Sequence, residues 1–343
     1  MTTRYPVPLY AYIGLAAIVS AEVMLFQGNG FVATYFTAIV WTGYILLMDG
    51  LVFRLKGASL IRNRPKEFLL LIPCSITLWL LFEFYNFRLE NWTYINLPAS
   101  LTERWIGYAW AFATILPGIF ETAEWVEATG AFSRWHTKPR PFYNMVLRQS
   151  IIIGLSFCIV PLLMPDHVVR YLFGFVWVGY VLLLDPINYY TGQPSLFRDL
   201  EEGKPERFAS LFVAGLICGV LWEFWNYWAH AKWIYTVPIM QDFKVFEMPL
   251  VGYLGFPAFA LECFAMMTFV FLMVPGTRRR IAAASAITFG TAVGVGRMMQ
   301  GAHWLSDVIF AALINIAIAW ALYQWIVQRD GLGLLFNRRG EAP

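Results

Sequence analysis

Long apolar runs, each about the length of a membrane-crossing helix, recur along most of this chain. About 20 predominantly apolar residues are needed for an α-helix to cross the hydrocarbon core of a bilayer. By this rule the pattern predicts ten spans, near residues 8–26, 31–53, 67–87, 104–122, 147–164, 170–190, 208–228, 249–274, 281–297 and 304–327. Because backbone groups in lipid must find their hydrogen bonds within the segment, these runs predict helices. The sequence therefore predicts an all-α, polytopic integral membrane protein.

The composition agrees with a membrane protein and gives no reason to expect a nucleic acid, a metal or a cofactor. Of 343 residues, 59% are hydrophobic and 14% are charged, whereas a soluble domain has roughly 25% charged residues. The net charge of +3 gives no reason to expect nucleic acid as a partner. All four cysteines fall inside apolar runs without metal-ligand spacing, so we expect no disulfide, no metal and no cofactor. The first apolar run has no clear small-residue cleavage site, so we also expect no cleavable signal peptide.

Basic residues concentrate in four segments outside the predicted spans. These are 54–66, 134–148, the Arg-Arg-Arg run at 278–280 and the C-terminal tail. Cytoplasmic loops carry an excess of Lys and Arg, and a ten-span chain with an internal N-terminus places all four clusters there. This predicts a multi-pass protein of a bacterial inner membrane with both termini cytoplasmic. The segments 88–103, 229–248 and 298–303 would then face outward.

The chain also repeats itself. Residues 41–49 (WTGYILLMD) match residues 177–185 (WVGYVLLLD) at six of nine positions. Further matches follow in the same order, namely 82–87 with 222–227, 91–98 with 232–238, and 107–108 with 252–253. We predict two tandem four-helix repeats, 1–130 and 131–275, followed by a C-terminal helix pair, 276–343. Four spans in each repeat would give both copies the same orientation around an axis along the membrane normal.

Carboxylates occur inside several predicted spans. Glu83 and Glu223 occupy corresponding positions near the outer ends of two spans, and each precedes an Asn by three residues. A carboxylate in hydrocarbon costs about 3 kcal/mol or more unless it has a partner, a proton or a water-filled cavity. Two interpretations stay open: hydrogen-bond ties between helices, or a polar pocket for a substrate. The residues of that pocket would be Glu83, Asn86, Glu223, Asn226, His230 and Lys232.

The stretch GRMMQGAHWLSDV at 296–308 combines three residues of complementary chemistry. Asp307 follows His303 by four residues, which places both on one face of a helix. A carboxylate there can hold one imidazole nitrogen and leave the other as a nucleophile or base. Arg297 can bind a phosphate oxygen through its guanidinium. We therefore predict catalytic roles in phosphate chemistry for these three residues, with a structural cluster as the alternative.

The spacing of Arg, five residues, His, three residues and Asp resembles the third motif of the type 2 phosphatidic-acid phosphatases. That family, PAP2, includes lipid phosphatases and vanadium haloperoxidases, and the resemblance covers roughly residues 250–327. It implies that His303 is a phosphohistidine nucleophile, that Asp307 orients it and that Arg297 is a phosphate ligand.

The other two motifs of that family depart here. The second is Pro-Ser-Gly-His, but Pro257 is followed by Ala-Phe-Ala, so the proton-donating His is absent from its place. The first is Lys, six residues and Arg-Pro, but seven residues separate Lys56 from Arg64, on the predicted inner face. His230 and Lys232, on the predicted outer face, would have to supply a proton donor and a second phosphate ligand.

A second resemblance runs through the repeats. It rests on Trp222, Glu223, Asn226, Tyr227, Trp233, Tyr235, Gly252, Tyr253, Pro257 and Glu262. This series is similar to the small membrane-embedded lycopene cyclases, whose chemistry implies protonation of a polyene by a buried carboxylic acid. The resemblance implies candidate acids at Glu83, Glu121, Glu223 and Glu262. The paired acidic residues that follow the Pro in that family are absent here.

These observations lead to one expected function and two alternatives. We expect a membrane protein that handles a lipid or isoprenoid phosphate at the outer face, as a phosphatase or phosphotransferase with a degenerate site. A proton-initiated isoprenoid or carotenoid cyclase is the first alternative. A non-catalytic lipid-binding or transport scaffold is the second, and the missing Ser-Gly-His favours it.

Overall fold

A computed structural model describes residues 5–273 of the chain. The predicted spans 281–297 and 304–327 lie outside the described residues, and so do Arg297, His303 and Asp307. The structure therefore bears on the two predicted repeats and not on the C-terminal helix pair.

The described part of the chain is mostly helical. Its helices are α1 Leu9–Phe26, α2 Gly30–Lys56, α3 Leu60–Asn63, α4 Pro65–Leu89, α5 Leu101–Ala113, α6 Ile115–Thr129, α7 Asn144–Leu163, α8 Asp166–Val169, α9 Phe173–Tyr190, α10 Leu196–Glu201, α11 Glu206–Trp228 and α12 Gly255–Met273. A 3-10 helix over Leu250–Leu254 precedes α12. The short strands are β1 Trp92–Ile95, β2 Lys232–Tyr235, β3 Lys244–Val245 and β4 Met248–Pro249.

Six helical segments within residues 5–273 are long and apolar enough to cross a membrane. They are Leu9–Phe26, Gly30–Lys56, Pro65–Leu89, Asn144–Leu163, Glu206–Trp228 and Leu250–Val270. Each lies on a predicted span, which supports a helical membrane protein. The predicted spans at 104–122 and 170–190 are helical but are not among the six.

The predicted span at 104–122 is two helices rather than one. α5 ends at Ala113 and α6 begins at Ile115, because Pro117 lacks an N–H and its ring clashes with the carbonyl four residues earlier. Ser75 of α4 compensates for the lost helical bonds. Its hydroxyl accepts a hydrogen bond from the Leu116 N–H at 3.0 Å and donates one to the Phe112 carbonyl at 2.5 Å.

Two helix pairs pack closely through glycines, α1 with α2 and α7 with α9. A side-chain carbon at Gly43 would lie 2.7 Å from the carbonyl oxygen of Gly14. One at Gly154 would lie 2.7 Å from the carbonyl oxygen of Gly179. Gly43 and Gly179 hold the same place in the two matching segments. Small residues let membrane helices approach until their backbones touch, so these positions set both pairings.

Aromatic rings join the two halves of the described chain. Trp41 of α2 packs on Trp222 of α11, with ring centroids 4.8 Å apart. Trp177 of α9 stacks on Phe82 of α4, with centroids 4.9 Å apart. Trp41 corresponds to Trp177 in the repeat alignment, and Phe82 corresponds to Trp222. The first half therefore contacts the second through Trp41, and the second half contacts the first through Trp177, the residue that corresponds to Trp41.

The strands β1 and β2 pair with each other in antiparallel fashion. They come from the segments 88–103 and 229–248, so the structure brings together two segments that the charge pattern assigns to one face. The hydrophobic pattern predicts no strand in either segment. Their signal was the alternation of aromatic and β-branched residues in Trp-Thr-Tyr-Ile and Lys-Trp-Ile-Tyr, which favours a strand.

Candidate functional site

The carboxylate of Glu83 is enclosed by three aromatic donors. Its Oε1 accepts hydrogen bonds from Trp79 Nε1 at 2.9 Å, from Trp92 Nε1 at 3.1 Å and from the Tyr94 hydroxyl at 2.5 Å. Glu83 and Trp79 lie one turn apart on α4, and the other two donors, Trp92 and Tyr94, belong to β1. Glu83 thus holds the first strand against the end of its helix.

Glu223 corresponds to Glu83 in the repeat and lies next to β2, but its carboxylate accepts fewer hydrogen bonds. Its Oε1 accepts a hydrogen bond from the Tyr235 hydroxyl at 2.7 Å, and that hydroxyl accepts one from Trp233 Nε1 at 2.9 Å. The residue is 0% exposed. Its Oε2 is buried and has no hydrogen-bond partner within the part of the chain that the structure describes. The two carboxylates therefore differ: Glu83 Oε1 receives three donors, whereas Glu223 keeps an unused oxygen.

The asparagines that follow these glutamates bind the strand backbone. Asn86 donates to the Trp92 carbonyl at 2.8 Å and accepts from the Trp92 N–H at 3.1 Å. Asn226 donates to the Trp233 carbonyl at 2.9 Å and accepts from the Trp233 N–H at 3.0 Å. In the described structure both amides attach a strand to the end of the preceding helix. This explains physically why each Asn stands three residues after its Glu.

Tyr94 and Tyr235 are paired with carboxylates inside the protein. Burial raises the pKa of the Tyr94 hydroxyl well above 10.0, and the charge of Glu83 raises it further. Burial and then Glu223 raise the pKa of Tyr235 in the same direction, with a smaller contribution from Tyr94. Both phenols therefore stay protonated and act as hydrogen-bond donors.

His230 and Lys232 lie at the start of β2. The Lys232 ammonium pairs with Glu247 at 2.6 Å and donates to the Tyr227 carbonyl at 3.2 Å. His230 is exposed, and its backbone carbonyl accepts a hydrogen bond from the Asn96 side chain at 3.0 Å. The structure thus brings the six predicted substrate-binding residues to one end of the helices, with Lys232 already neutralised by a carboxylate.

Asp49 and Asp185 occupy corresponding positions at the other ends of α2 and α9. Asp49 accepts hydrogen bonds from the Ser59 hydroxyl at 2.8 Å and the Ile61 N–H at 2.7 Å. Asp185 accepts from the Ser195 hydroxyl at 2.7 Å and the Leu196 N–H at 3.0 Å. Each carboxylate anchors the first turn of a short helix, α3 or α10. A serine follows each Asp at the same spacing in the sequence, and this shared spacing is the signal from which the contact could be predicted.

The remaining carboxylates inside the predicted spans have different surroundings. Glu22 accepts a hydrogen bond from Trp225 Nε1 at 3.2 Å, which ties α1 to α11. Glu262 accepts a long bond of 3.3 Å from the Tyr180 N–H. Glu121 is fully buried, and neither of its oxygens has a hydrogen-bond partner among the residues described. Within the same residues, no group of three or more His, Cys, Asp or Glu side chains could hold a metal ion.

The C-terminal part of the chain is similar to a known protein family. Residues 259–330 match the model of the PAP2 superfamily, which confirms the resemblance drawn from the motif at 296–308. The match begins inside α12 and continues beyond the described residues. No curated protein and no solved structure matches the chain. Together with the six apolar helices, the match supports a phosphatase-like membrane protein at a coarse level.

Proposed function

We propose that this protein handles a lipid or isoprenoid phosphate in a membrane, with residues 259–330 forming its phosphatase-like centre. The single observation that carries the proposal is the PAP2 match, since it spans all three residues of the motif. In this centre His303 is the nucleophile, Asp307 orients its imidazole and Arg297 binds the phosphate. An imidazole held by a carboxylate is a suitable nucleophile for phosphoryl transfer.

The chain lacks the Ser-Gly-His of the second PAP2 motif, so the proposed reaction needs another proton donor. Ala258, Phe259 and Ala260 follow Pro257, so the proton for the leaving group comes from elsewhere. His230 is an exposed imidazole beside the paired strands, and we assign it that role. Lys232 and its partner Glu247 would then sit at the edge of the phosphate site, where the carboxylate would release the ammonium when an anion binds.

The paired strands with Glu83 and Glu223 form the proposed substrate-binding end. Two tandem repeats related by a local twofold axis would explain why the same Glu, Asn, Trp and Tyr positions recur there. The asparagines keep the strands in place. Glu223 Oε2 has no partner among the described residues but is buried, so a polar group of the substrate would reach it only when the strands move apart. The aromatic side chains around it suit an isoprenoid or acyl chain.

The test is phosphate release by the full-length protein in detergent micelles. Phosphatidic acid and an isoprenyl diphosphate are offered to the wild type, to His303→Ala and to the matched control His167→Ala, which removes a histidine that is exposed in the described structure. Loss of the nucleophile is expected to lower turnover by about 10³-fold or more, whereas the control retains activity. Release that persists unchanged in His303→Ala would overturn the proposal.

A proton-initiated cyclase is the second candidate, and one observation favours it. The unpartnered Oε2 of Glu223 lies buried next to Trp233 and Tyr235, and aromatic faces stabilise cations such as those a protonated polyene forms. A cyclase would lose turnover of a polyene in Glu223→Gln and keep it in His303→Ala. A non-catalytic scaffold would bind the lipid or polyene and turn over neither.

A further inference from the structure

A cationic loop lies at the opposite end of the helices from the paired strands. We call residues 134–142 the basic strap; they connect the end of α6 with the start of α7. Within it Arg134, His136, Lys138 and Arg140 are all exposed. The strap is thus a short segment with a cationic or titratable side chain at every second position.

The backbone of the strap is fixed although its side chains are exposed. The Thr137 N–H donates to the Gly203 carbonyl at 3.0 Å, and the Arg140 N–H donates to the Glu201 carbonyl at 3.0 Å. The Phe142 N–H donates to the Glu201 carboxylate at 3.1 Å. Gly203 has a φ of 72°, and a side-chain carbon there would collide with the Thr137 carbonyl. A ligand would therefore meet cations whose backbone is already ordered, which lowers the entropic cost of binding.

The acidic residues near the strap already have partners. Glu201 also accepts a hydrogen bond from the Tyr189 hydroxyl at 2.6 Å. Glu202 pairs with Lys204 at 2.8 Å, and Asp199 pairs with Arg207 at 3.0 Å. Among the residues that the structure describes, no carboxylate lies within ion-pair distance of Lys138 or Arg140. Lys138 and Arg140 therefore have no ion-pair partner among these residues. The strap with its three cations stays positive overall, although Glu201, bonded to the neutral Phe142 N–H and Tyr189 hydroxyl, keeps its negative charge beside it.

A surface pocket opens between the strap and α10. Its volume is about 430 Å³, and its lining residues are Thr137, Lys138, Arg140, Pro141, Phe142 and Leu200. Both unpaired cations border this space, together with a hydroxyl and an apolar wall. An Arg can bind phosphate oxygens through two parallel N–H groups, and a Lys can add a point charge.

The strap adjoins a membrane-crossing helix. α7 begins at Asn144, two residues after the strap, and its 20 residues are long and apolar enough on average to cross a membrane. Trp135 is 49% exposed and Tyr143 is 75% exposed, on the two sides of the pocket residues in sequence. Amphipathic aromatic rings of this kind are enriched at the level of lipid headgroups. The pocket is therefore placed where a headgroup phosphate can reach it.

We propose that the basic strap is a binding site for an anionic phospholipid of the membrane. The headgroup phosphate lies between Lys138 and Arg140, and the acyl chains run along the exposed first turns of α7. This site does not depend on the phosphatase-like centre, and the charge pattern assigns it to the opposite face of the membrane. The occupant is a bound lipid rather than a reactant.

The experiment measures binding of fluorescent phosphatidylglycerol to the full-length protein in uncharged detergent, with phosphatidylcholine as the neutral lipid. A Lys or Arg near an anionic lipid contributes about fivefold in affinity. We expect Lys138→Gln to weaken phosphatidylglycerol binding about fivefold and K138Q/R140Q roughly 25-fold. Lys244→Gln, which removes an exposed cation at the paired-strand end, is the matched control and is expected to leave binding unchanged.

Three results would overturn the proposal. The first is equal binding of the neutral lipid, and the second is equal loss of affinity in Lys244→Gln. The third is displacement of the lipid by millimolar inorganic phosphate, which would identify a free-phosphate site instead. Melting temperatures of the variants in phosphatidylcholine serve as the folding check, and these exposed substitutions are expected to leave them unchanged.

Discussion

Trp92 lies opposite Tyr235 in the antiparallel pair of β1 and β2, and Tyr94 lies opposite Trp233 in the reciprocal position. Trp92 corresponds to Trp233 in the repeat alignment, and Tyr94 corresponds to Tyr235. Each Trp of one strand is therefore paired with the Tyr of the other strand, and the two pairs are equivalent by the repeat alignment. That arrangement is expected of two tandem copies around a local twofold axis, and the duplicated four-helix units stay a prediction.

The first prediction concerns the unequal hydrogen bonding of the two glutamates. Glu83→Ala leaves three aromatic donors without their acceptor, one of them buried and two partly buried, whereas Glu223→Ala leaves the Tyr235 hydroxyl. Each orphaned donor costs about 1–3 kcal/mol. We expect Glu83→Ala to lower the melting temperature in detergent clearly more than Glu223→Ala does. An equal decrease would contradict the assignment of Glu83 as the more structural of the two.

The second prediction concerns the asparagines that hold the strands. Asn226→Ala removes one donor and one acceptor from the Trp233 backbone, so we expect a loss of about 1–3 kcal/mol in unfolding free energy. Hydrogen exchange of the β2 amides should accelerate. Asn144→Ala is the control, because it removes an exposed amide at the start of α7. Unchanged β2 exchange in Asn226→Ala would show that the amide does not hold the strand.

The third prediction concerns alkaline pH. The pKa values of Tyr94 and Tyr235 are raised in the folded protein, so the unfolded chain loses these protons first. Their contribution to stability is therefore complete below about pH 10, the ordinary tyrosine value, and is lost as the pH rises towards their folded pKa values. We expect the melting temperature to fall above about pH 10, and to fall less steeply in Y94F/Y235F. Equal slopes for both proteins would refute this linkage.

The fourth prediction concerns the close packing of α7 against α9. Gly154→Ala places a carbon against backbone atoms of α9, which cannot move away without separating the helices. Overpacking of this kind costs about 1–3 kcal/mol. Gly174→Ala is the matched control, since a carbon at Gly174 would meet no atom within 4 Å. We expect a lower melting temperature for Gly154→Ala and an unchanged or slightly higher one for Gly174→Ala.

Much of the helical framework could be predicted from hydrophobicity alone. A membrane requires about 20 apolar residues for each helix, and this requirement is local in the chain. The break at Thr114 was readable in principle from Pro117, yet the hydropathy of the segment conceals it. The phosphatase-like motif was also readable, because its chemistry depends on residue types at short spacing.

The surroundings of the candidate site needed the tertiary structure. The sequence placed Glu83 and Glu223 in corresponding positions and could not distinguish them. Their different surroundings arise because Trp79 and Trp92 both lie within 3.1 Å of Glu83 Oε1, whereas the indole nitrogen of Trp233 lies 2.9 Å from the Tyr235 hydroxyl. Such a difference depends on side-chain directions, which repeat alignments do not contain.

Taken by itself, the sequence determined the helical membrane class, the recurrence of key positions and the resemblance of the C-terminal part to the PAP2 superfamily. The tertiary structure decided that β1 pairs with β2, that Trp41 and Trp177 each pack into the opposite half, and that Glu223 keeps an unused oxygen. The physical reason is the distance along the chain over which each interaction acts. Burial in lipid acts on each segment separately, whereas strand register and hydrogen-bond saturation depend on residues far apart in the chain.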